Sequence, residues 1–445
     1  MDSPVPDRPS SPPETWKSAE RAMRVLASPV QRVLKIEAAS GLILLGVTIV
    51  ALVWANVSAA SYEGLWHTPI GIRFGGSDFT QSLHFWINDA LMTIFFLVVG
   101  LEIRREIFEG ELATFKQATL PLAAALGGML VPAGIFVLLN YGRAGAAGWA
   151  IPMATDIAFA VGILTLLGSR VPAPLRVLLL ALAVIDDIGA IVVIGVFYSA
   201  GIQVEGFLIA GAGIAGVLAL RAVGVRAPLL YLVPGVAVWA GLLIAGIHPT
   251  LAGVILGLLT PVRAWFGPSG FAETTQAHLA KVGADDRHAL LLRLDAINLA
   301  RREAVSPTER LIHALHPYVA FGIMPLFALA NAGVVLGGAD LRGDALWLFI
   351  GVIAGLVVGK TLGITVATIG TSALGIASRS ADMSTRGVLL VGMTGGIGFT
   401  MSLFIAQLAF PAGHPLLDTA KLAILVGSGA AMALGLLFGL TFRKR

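Results

Sequence analysis

The chain has no cysteine and few charged residues. Among its 445 residues, Asp, Glu, Lys and Arg together make up 13%, about half of the 25% that is usual in soluble domains. The absence of cysteine excludes disulfide bonds, thiolate chemistry and cysteine-based zinc sites. Apolar residues make up 57% and the mean hydropathy is +0.87, which is more apolar surface than a soluble domain could bury. The composition therefore excludes a soluble enzyme and a nucleic-acid-binding protein, and predicts an integral membrane protein.

Apolar stretches separated by short polar links run through most of the sequence. A transmembrane helix needs about 20 apolar residues to cross roughly 30 Å of hydrocarbon. We predict an all-α polytopic membrane protein with twelve transmembrane helices, some of them short, near Ala38–Val57, Leu83–Leu101, Leu120–Leu139, Ala150–Leu167, Leu175–Phe197, Phe207–Leu220, Leu229–Ile247, Leu251–Pro261, Val319–Val334, Leu346–Ala373, Leu389–Leu408 and Ala420–Phe442.

The basic residues alternate between links in a way that predicts the orientation. Cytoplasmic loops carry an excess of Lys and Arg. Of the 30 Lys and Arg residues, only Arg73, Arg143 and Arg342 fall on one set of links, and Lys360 and Lys421 fall within or at the edge of spans. All the others lie in the N-terminal tail, at the C-terminus or on the opposite links. We therefore expect both termini to be cytoplasmic.

Segments outside the spans have their own patterns. Residues 1–35 are polar, begin with a Pro/Ser-rich run and lack the apolar core of a signal peptide, which predicts a cytoplasmic tail leading into a surface helix. Residues 36–445 then form the membrane domain. Between the first two spans, Ile70–Phe79 alternates and turns at Gly75-Gly76, which predicts a small extracytoplasmic β-hairpin.

The longest cytoplasmic link is predicted over residues 262–316. Within it, Ala289–Ala304 has the pattern of an amphipathic helix on the membrane surface. Ser306 followed by Pro307 and by Glu309 is a capping box with proline at the first helical position. This predicts that a helix begins after Ser306 and leads towards the ninth span.

Four charged residues lie inside predicted spans. A charge at the bilayer centre costs roughly 2.5–3.5 kcal/mol on insertion scales, so each needs a function or a partner. Asp186 and Asp187 are adjacent near the middle of the fifth span, with Asp156 in the fourth and Lys360 in the tenth. A carboxyl that loses its water or lies beside another carboxylate holds its proton more tightly, and carboxylate oxygens are ligands of small hard cations. Competition between a proton and a cation is the functional interpretation, and a structural ion pair with Lys360 or a buried protonated carboxyl is the alternative.

The fourth and eleventh spans contain residues that interrupt helices. Pro152 precedes Thr155 and Asp156 in the fourth span, and four glycines fall within GMTGGIGFTMSLF in the eleventh. MATDIAFA and MTGGIGFT share Met, Ile and Phe at the same places and would run in opposite directions, which indicates an inverted repeat with two discontinuous helices, over about residues 120–197 and 346–442. An anion near the N-terminal ends and a cation near the C-terminal ends would be stabilising, roles that fit Asp156 and Lys360.

Several motifs resemble those of the NhaA-type sodium/proton antiporters. They are FFLVVGLEIRREIFEGEL, MATDIAFA, ALAVIDDIGA, HPTLAGVILG, LHPYVAFGIMPLFALANAG, VGKTLG and GGIGFTMSLF, from Phe95 to Phe404. The resemblance implies that Asp186 and Asp187 bind Na⁺ and protons, and that Asp156 and Thr155 lie at a crossing of broken helices. It also implies that Lys360 pairs with Asp186 or compensates the helix dipoles.

The same resemblance implies a cytoplasmic pH-sensing cluster. Its residues would be Glu102, Arg105, Glu106, His313 and His316. One position departs from the family pattern, because Ile312 stands beside His313 where an acidic residue is expected. His titrates near neutral pH, so the active pH range does not carry over. The alternative is that His313 and His316 are ordinary interface residues.

These observations predict a secondary transporter of the bacterial inner membrane, not an enzyme. It would export Na⁺ and Li⁺ in exchange for protons, contact membrane lipid and need no cofactor, and the family resemblance implies a homodimer joined partly through the hairpin. A sodium-coupled organic-anion symporter is the alternative, and an intramembrane aspartyl protease is a remote third. Gly355–Thr361 (GLVVGKT) is one residue too short for a phosphate-binding loop and lies in an apolar span, so we expect no nucleotide.

Overall fold

The structure is a computed structural model, and helices make up most of it. It describes residues 37–74, 77–199, 201, 203–225, 227–264, 266–280, 287–337, 341–380 and 382–443. The predicted N-terminal tail and surface helix, as well as the Gly75-Gly76 turn, lie outside the described residues.

The α-helices follow one another with short connections. They are α1 (Glu37–Val57), α2 (Ala59–Trp66), α3 (Leu83–Glu109), α4 (Phe115–Asn140), α5 (Ile157–Leu166), α6 (Ala173–Phe197), α7 (Val204–Ala222), α8 (Pro228–Ala245), α9 (Leu251–Leu259), α10 (Gly267–Leu279), α11 (Arg287–Glu303), α12 (Pro307–Asn331), α13 (Asp344–Ala373), α14 (Thr385–Gly395), α15 (Phe399–Ala409) and α16 (Leu417–Leu440). A 3₁₀ helix, Ala144–Met153, precedes α5.

Most of these helices are long and apolar enough to cross a membrane. Within the described ranges nine helices meet that test, or up to 11 spans if each of two bent helix pairs is counted as one. The eighth predicted span differs, because Leu251–Pro261 forms only the nine-residue α9. At 1.5 Å per residue this helix is about 13 Å long, less than half of the hydrocarbon thickness.

The two bent pairs coincide with the segments in which the sequence predicts interruptions. The Ala144–Met153 helix and α5 meet at 45°, and α14 and α15 meet at 46°. The first break spans residues 154–156 and the second spans residues 396–398. The breaks leave backbone N–H and C=O groups without partners from their own helices, so other groups must satisfy them.

Glycines allow several pairs of helices to pack backbone against backbone. A Cβ on Gly127 of α4 would overlap the carbonyl oxygen of Gly363 on α13, and a Cβ on Gly257 of α9 would overlap the backbone of Gly100 on α3. Side chains larger than hydrogen would force these helices apart. The α3–α9 pair and the α4–α13 pair are therefore tightly packed, as is the α7–α8 pair, where a Cβ on Gly206 would overlap the Ala245 backbone.

A two-stranded antiparallel sheet precedes α3. Strand β1 (Pro69–Phe74) pairs with β2 (Ser77–Ser82), with Pro69 opposite Ser82. Ser82 ends β2 and caps α3, because its hydroxyl accepts a hydrogen bond from the Phe85 N–H at 3.1 Å. The Trp86 indole N–H donates to the Ile70 carbonyl at 3.0 Å. The hairpin is therefore fixed to the start of α3.

The start of α12 agrees with its sequence signal. The Ser306 hydroxyl accepts a hydrogen bond from the Glu309 N–H at 3.1 Å, and Pro307 is the first helical residue. The helix then continues without a break to Asn331, through a π-helical turn at Val319–Ile323. The ninth predicted span is therefore the second half of a longer helix.

Candidate functional site

The two helix breaks cross at the centre of the site. The Asp156 N–H donates to the Ile397 carbonyl at 2.7 Å, which joins the first break to the second. The Ser402 hydroxyl donates to the Ile151 carbonyl at 2.8 Å, so α15 also satisfies the end of the 3₁₀ helix. These bonds supply partners that the interrupted helices lack on their own.

Asp156 caps the N-termini of both helices that follow the breaks. Its carboxylate accepts from the Phe159 N–H of α5 at 3.3 Å and from the Thr400 N–H of α15 at 3.0 Å. The Thr400 hydroxyl donates to it as well. Two helix N-termini carry partial positive charge, so one buried carboxylate stabilises both. The side chain is 1% exposed, and its charge is compensated without a cationic residue.

Lys360, Asp186 and Thr155 form a buried group beside the crossing. The Lys360 ammonium lies 2.5 Å from Asp186 Oδ2 and 2.8 Å from the Thr155 hydroxyl oxygen. The Thr155 oxygen lies 2.7 Å from Asp186 Oδ2 and 2.9 Å from the Gly395 carbonyl, where α14 ends. Lys360 directly follows the π-helical turn Ala354–Gly359. Its positive charge therefore lies next to both a carboxylate and a helix C-terminus.

Asp187 differs from the other two aspartates. Its side chain is 3% exposed, and among the described residues no hydrogen bond or ion pair reaches its carboxyl. Asp186, Glu102, Asp156 and Lys360 act on it only through charge. In addition, Asp186 Oδ1 is buried and has no hydrogen-bond partner. The site therefore offers carboxyl oxygens that the described side chains do not use.

The charges in the site do not balance without a bound ion or proton. Lys360 offsets Asp186, and helix N-termini offset Asp156, which leaves Asp187 without a counter-charge nearby. A bare buried carboxylate is expensive, so it must take up a proton or a cation. Carboxylate oxygens suit both. Among the described residues no group of three or more His, Asp or Glu side chains could hold a metal ion.

The predicted pH-sensing residues are only partly together. His316 Nδ1 lies 4.0 Å from Glu102 Oε1, and Arg105 lies 3.3 Å from the Glu106 carboxylate. His313 is exposed on α12, whereas Ile312, at the position where the family pattern predicts an acid, is buried. Glu102 lies near enough to Asp187 for the two carboxylates to repel each other when both are ionised.

Sequence reasoning missed two residues that support the crossing. Thr400 holds Asp156 through both its N–H and its hydroxyl. Ser428 of α16 accepts a hydrogen bond from the Phe399 N–H at 3.1 Å, at the first residue of α15. Thr400 lies two residues after the last glycine of GGIGFTMSLF, so the expected helix start could have indicated it. No local signal indicates Ser428, since it comes from another helix.

The fold and the site define a class of protein. Many apolar helices surround buried charges at a crossing of two interrupted helices, and this is the arrangement of secondary transporters, whose substrate sites lie at such breaks. The sequence profile of the Na⁺/H⁺ antiporter 1 family matches residues 31–438. The chain belongs to this family.

Its relatives match over nearly the full length. The Na⁺/H⁺ antiporter NhaA 2 of Sorangium cellulosum is 56% identical, over 94% of this chain and 91% of that protein. The Na⁺/H⁺ antiporter NhaA 2 of Myxococcus xanthus is 53% identical, over 98% and 93%. The Na⁺/H⁺ antiporter NhaA of Bordetella petrii is 48% identical, over 98% and 94%. These relatives are transporters, not enzymes, and they give no support to the symporter or the protease alternative.

Proposed function

We propose that the protein is a secondary antiporter that exports Na⁺ and Li⁺ in exchange for protons. The observation that carries this proposal is Asp187, a buried carboxyl for which the described residues supply no bonded partner. The names of the relatives support Na⁺ and H⁺ as the exchanged ions.

The exchange follows from competition for the same oxygens. With a proton on Asp187 the carboxyl is neutral and can stay buried. When the proton leaves, Na⁺ binds the Asp187 carboxylate together with the unused oxygen Oδ1 of Asp186. Na⁺ and the proton neutralise the same charge, so the arrival of one favours the departure of the other. The carrier therefore does not hold both at once, and this coupling produces antiport.

Lys360 and Asp156 keep the site intact between the two states. The ion pair of Lys360 with Asp186 holds α13 against α6 while Asp187 changes its occupant. Asp156 holds the two breaks together through its bonds to Phe159 and Thr400. Their role is charge compensation at the helix crossing.

Two protons leave for each monovalent cation when Asp187 and the Lys360–Asp186 pair each release one. One positive charge would then move inward in each cycle, and a membrane potential contributes about 2.3 kcal/mol per charge per 100 mV. We therefore expect electrogenic exchange. In vesicles with a clamped potential, turnover that does not change with potential would contradict this stoichiometry.

The proposal includes twelve spans in the bacterial inner membrane, with both termini in the cytoplasm. The alternation of basic links supports this orientation, and the two bent helix pairs support inverted repeats over about residues 120–197 and 346–442. The eighth span would consist of α9 and the non-helical residues beside it. The proposal also includes a homodimer joined partly by the extracytoplasmic hairpin, and regulation by the cluster of Glu102, Arg105, Glu106, His313 and His316.

The decisive experiment changes the carboxyl of Asp187. In everted vesicles, Asp187→Asn is expected to abolish the Na⁺-evoked dissipation of a pH gradient, since the amide cannot exchange a proton for a cation. Asp344→Asn, at an acid whose side chain is 42% exposed, is the matched control and should keep the wild-type rate. Activity retained by Asp187→Asn would contradict the proposal. Calorimetry on purified wild-type protein provides a second check, because Na⁺ binding should release protons into the buffer.

A further inference from the structure

Three amide side chains form a closed ring away from the ion site. Asn88 Nδ2 donates to Gln407 Oε1 at 2.6 Å, Gln407 Nε2 donates to Asn331 Oδ1, and Asn331 Nδ2 donates to Asn88 Oδ1 at 2.8 Å. His84 Nε2 also lies 2.8 Å from Asn331 Oδ1, and since an amide oxygen only accepts, this nitrogen donates. We call these three amides the amide ring.

The amide ring joins three helices at the end of the bundle that carries the hairpin. Asn88 lies on α3, a few residues after β2 ends at Ser82, and Asn331 is the last residue of α12. Gln407 comes from α15. Asn88 lies 14 residues before Glu102 on the same helix, which is about 21 Å. The ring and the acidic end of α3 are therefore well separated along this helix.

One helix connects the amide ring to the ion site. Thr400, which holds Asp156, and Gln407 are seven residues apart on α15, so they share a face of the helix about 10 Å apart. Phe404 lies between them and is 1% exposed. Its ring packs against those of Phe96 and Phe327 at centroid distances of 5.3 and 6.2 Å. A shift of α15 would therefore change the ion site, the aromatic contacts and the amide ring together.

The α3–α15 contact is different in kind from the tightest helix contacts of the fold. The α3–α9 and α4–α13 pairs meet backbone to backbone at glycines, with no side chain between them at these points. Between α3 and α15 the contact runs through side chains, the rings of Phe96 and Phe404 and the amides of Asn88 and Gln407. Side chains can change rotamers and partners, so this interface can open.

We infer that the amide ring is a clasp that closes the hairpin end of the ion pathway and must open in each transport cycle. This rests on the proposed function, because a carrier exposes its site to one side at a time by moving one bundle against another. Each amide in the ring gives one hydrogen bond and receives one. When the ring opens, Asn331 keeps its bond to the Phe327 carbonyl and its contact with His84. Gln407 bonds only to the other two amides among the described residues, so its amide is left without partners until water enters, and closure and exclusion of water reinforce each other.

A cross-link across the ring tests the clasp directly. The chain has no cysteine, so Asn88→Cys with Gln407→Cys introduces the only two thiols. In proteoliposomes, joining them with a cleavable bis-methanethiosulfonate should lower Na⁺-dependent proton flux at least tenfold relative to the same protein before the reaction, and reduction should restore the flux. The control pair, Arg143→Cys with Asp344→Cys, joins residues that lie 3.5 Å apart as an ion pair beside the tightly packed α4 and α13. Its flux should stay within twofold. A cross-link verified by mass spectrometry that leaves the flux of the first pair unchanged overturns the proposal.

A second experiment does not depend on transport. Met92→Cys places a single reporter thiol one turn from Asn88 on α3, at a side chain that is 0% exposed. Adding Gln407→Leu removes two bonds of the ring and should raise the rate of labelling by a membrane-impermeant maleimide, applied from the hairpin side, at least threefold. Gln117→Leu, at an exposed amide of α4, should leave the rate unchanged. Equal labelling rates in Met92→Cys and in its two double variants overturn the clasp. Absence of Na⁺-dependent proton flux in the wild-type protein would instead count against antiport and not against the amide ring.

Discussion

The helix crossing and the Glu102–His316 cluster both hold charged side chains, but under different conditions. At the crossing, Asp156, Asp186 and Lys360 are at most 1% exposed, and the ion pair measures 2.5 Å. In the cluster, the His316 side chain is 61% exposed and its distance to Glu102 is 4.0 Å. Water stabilises the charges of the cluster, so their contacts can be loose. At the crossing protein groups must replace that water, so partners are close and specific.

This difference in burial indicates where substitutions should change stability most. A buried charge that loses its partner remains without compensation, at a cost of several kcal/mol. An exposed pair contributes about 0.2–1 kcal/mol, because each member can return to water. The effects of substitutions should therefore fall steeply from the crossing to the cluster.

The largest expected effect on stability is that of Lys360→Met. The change leaves Asp186 buried without its cation, and should lower the free energy of unfolding at pH 7 by about 3–5 kcal/mol. The loss should shrink as the pH falls, because a protonated Asp186 needs no cation. Thermal unfolding in detergent measures both effects. Lys116→Met, at an exposed lysine, is the control, and an equal loss in the two variants would remove the contrast between the regions. We expect altered pH dependence of transport rather than its complete loss.

Asp156→Ala tests the double cap. Each N-cap contributes about 0.5–2 kcal/mol, so losing the caps of α5 and α15 together should cost about 1–4 kcal/mol. Thr114→Ala removes the single cap of α4, where the hydroxyl accepts from the Gln117 N–H, and should cost about half as much. Chemical denaturation in detergent measures the ratio. If the two losses are equal, Asp156 does not serve both helices.

Thr400→Val isolates one bond to Asp156. The hydroxyl donates to a charged acceptor, and such bonds contribute about 1.5–3 kcal/mol. We expect a loss near 1.5 kcal/mol, because Asp156 keeps the N–H donors of Phe159 and Thr400. In Thr368→Val the lost bond goes to the neutral carbonyl of Ile364, so the cost should be smaller. Equal losses in thermal unfolding would show that the charge on Asp156 adds nothing to this bond.

The smallest effect is expected in the cluster. His316→Gln removes the exposed pair of His316 with Glu102, and such a pair contributes at most about 1 kcal/mol. The pH profile of Na⁺-dependent exchange should therefore shift by about 0.7 pH unit or less. His67→Gln, at an exposed histidine beside the hairpin, should leave the profile unchanged. A shift of several pH units in His316→Gln would mean that the cluster is as strongly coupled as the crossing.

Much of the fold could be predicted from sequence, because hydropathy and helix-breaking residues are local signals. Pro152 and the glycines of GMTGGIGFTMSLF mark the segments where the two bends lie, and Ser306 marks the start of α12. Local signals did not predict the short length of α9. Its apolar segment is helical only over Leu251–Leu259, and non-helical backbone follows. The cluster of Glu102, Arg105, Glu106, His313 and His316 has no local signal at all: the family pattern supplied it, and the structure places His313 on the surface.

The sequence by itself determined that this is a membrane protein, that Asp186 and Asp187 lie within an apolar helix, and that residues which break helices fall in two of the apolar segments. These properties depend on residues close together in the chain. The tertiary structure alone decided that Lys360, which is 174 residues from Asp186 in the chain, bonds to Oδ2 of Asp186. Oδ1 of Asp186 and the carboxyl of Asp187 have no bonded partner among the described residues. The tertiary structure also decided that one carboxylate caps two helices and that three distant amides form a ring. The physical reason is that a buried polar group needs a partner, and packing of the whole chain chooses which one.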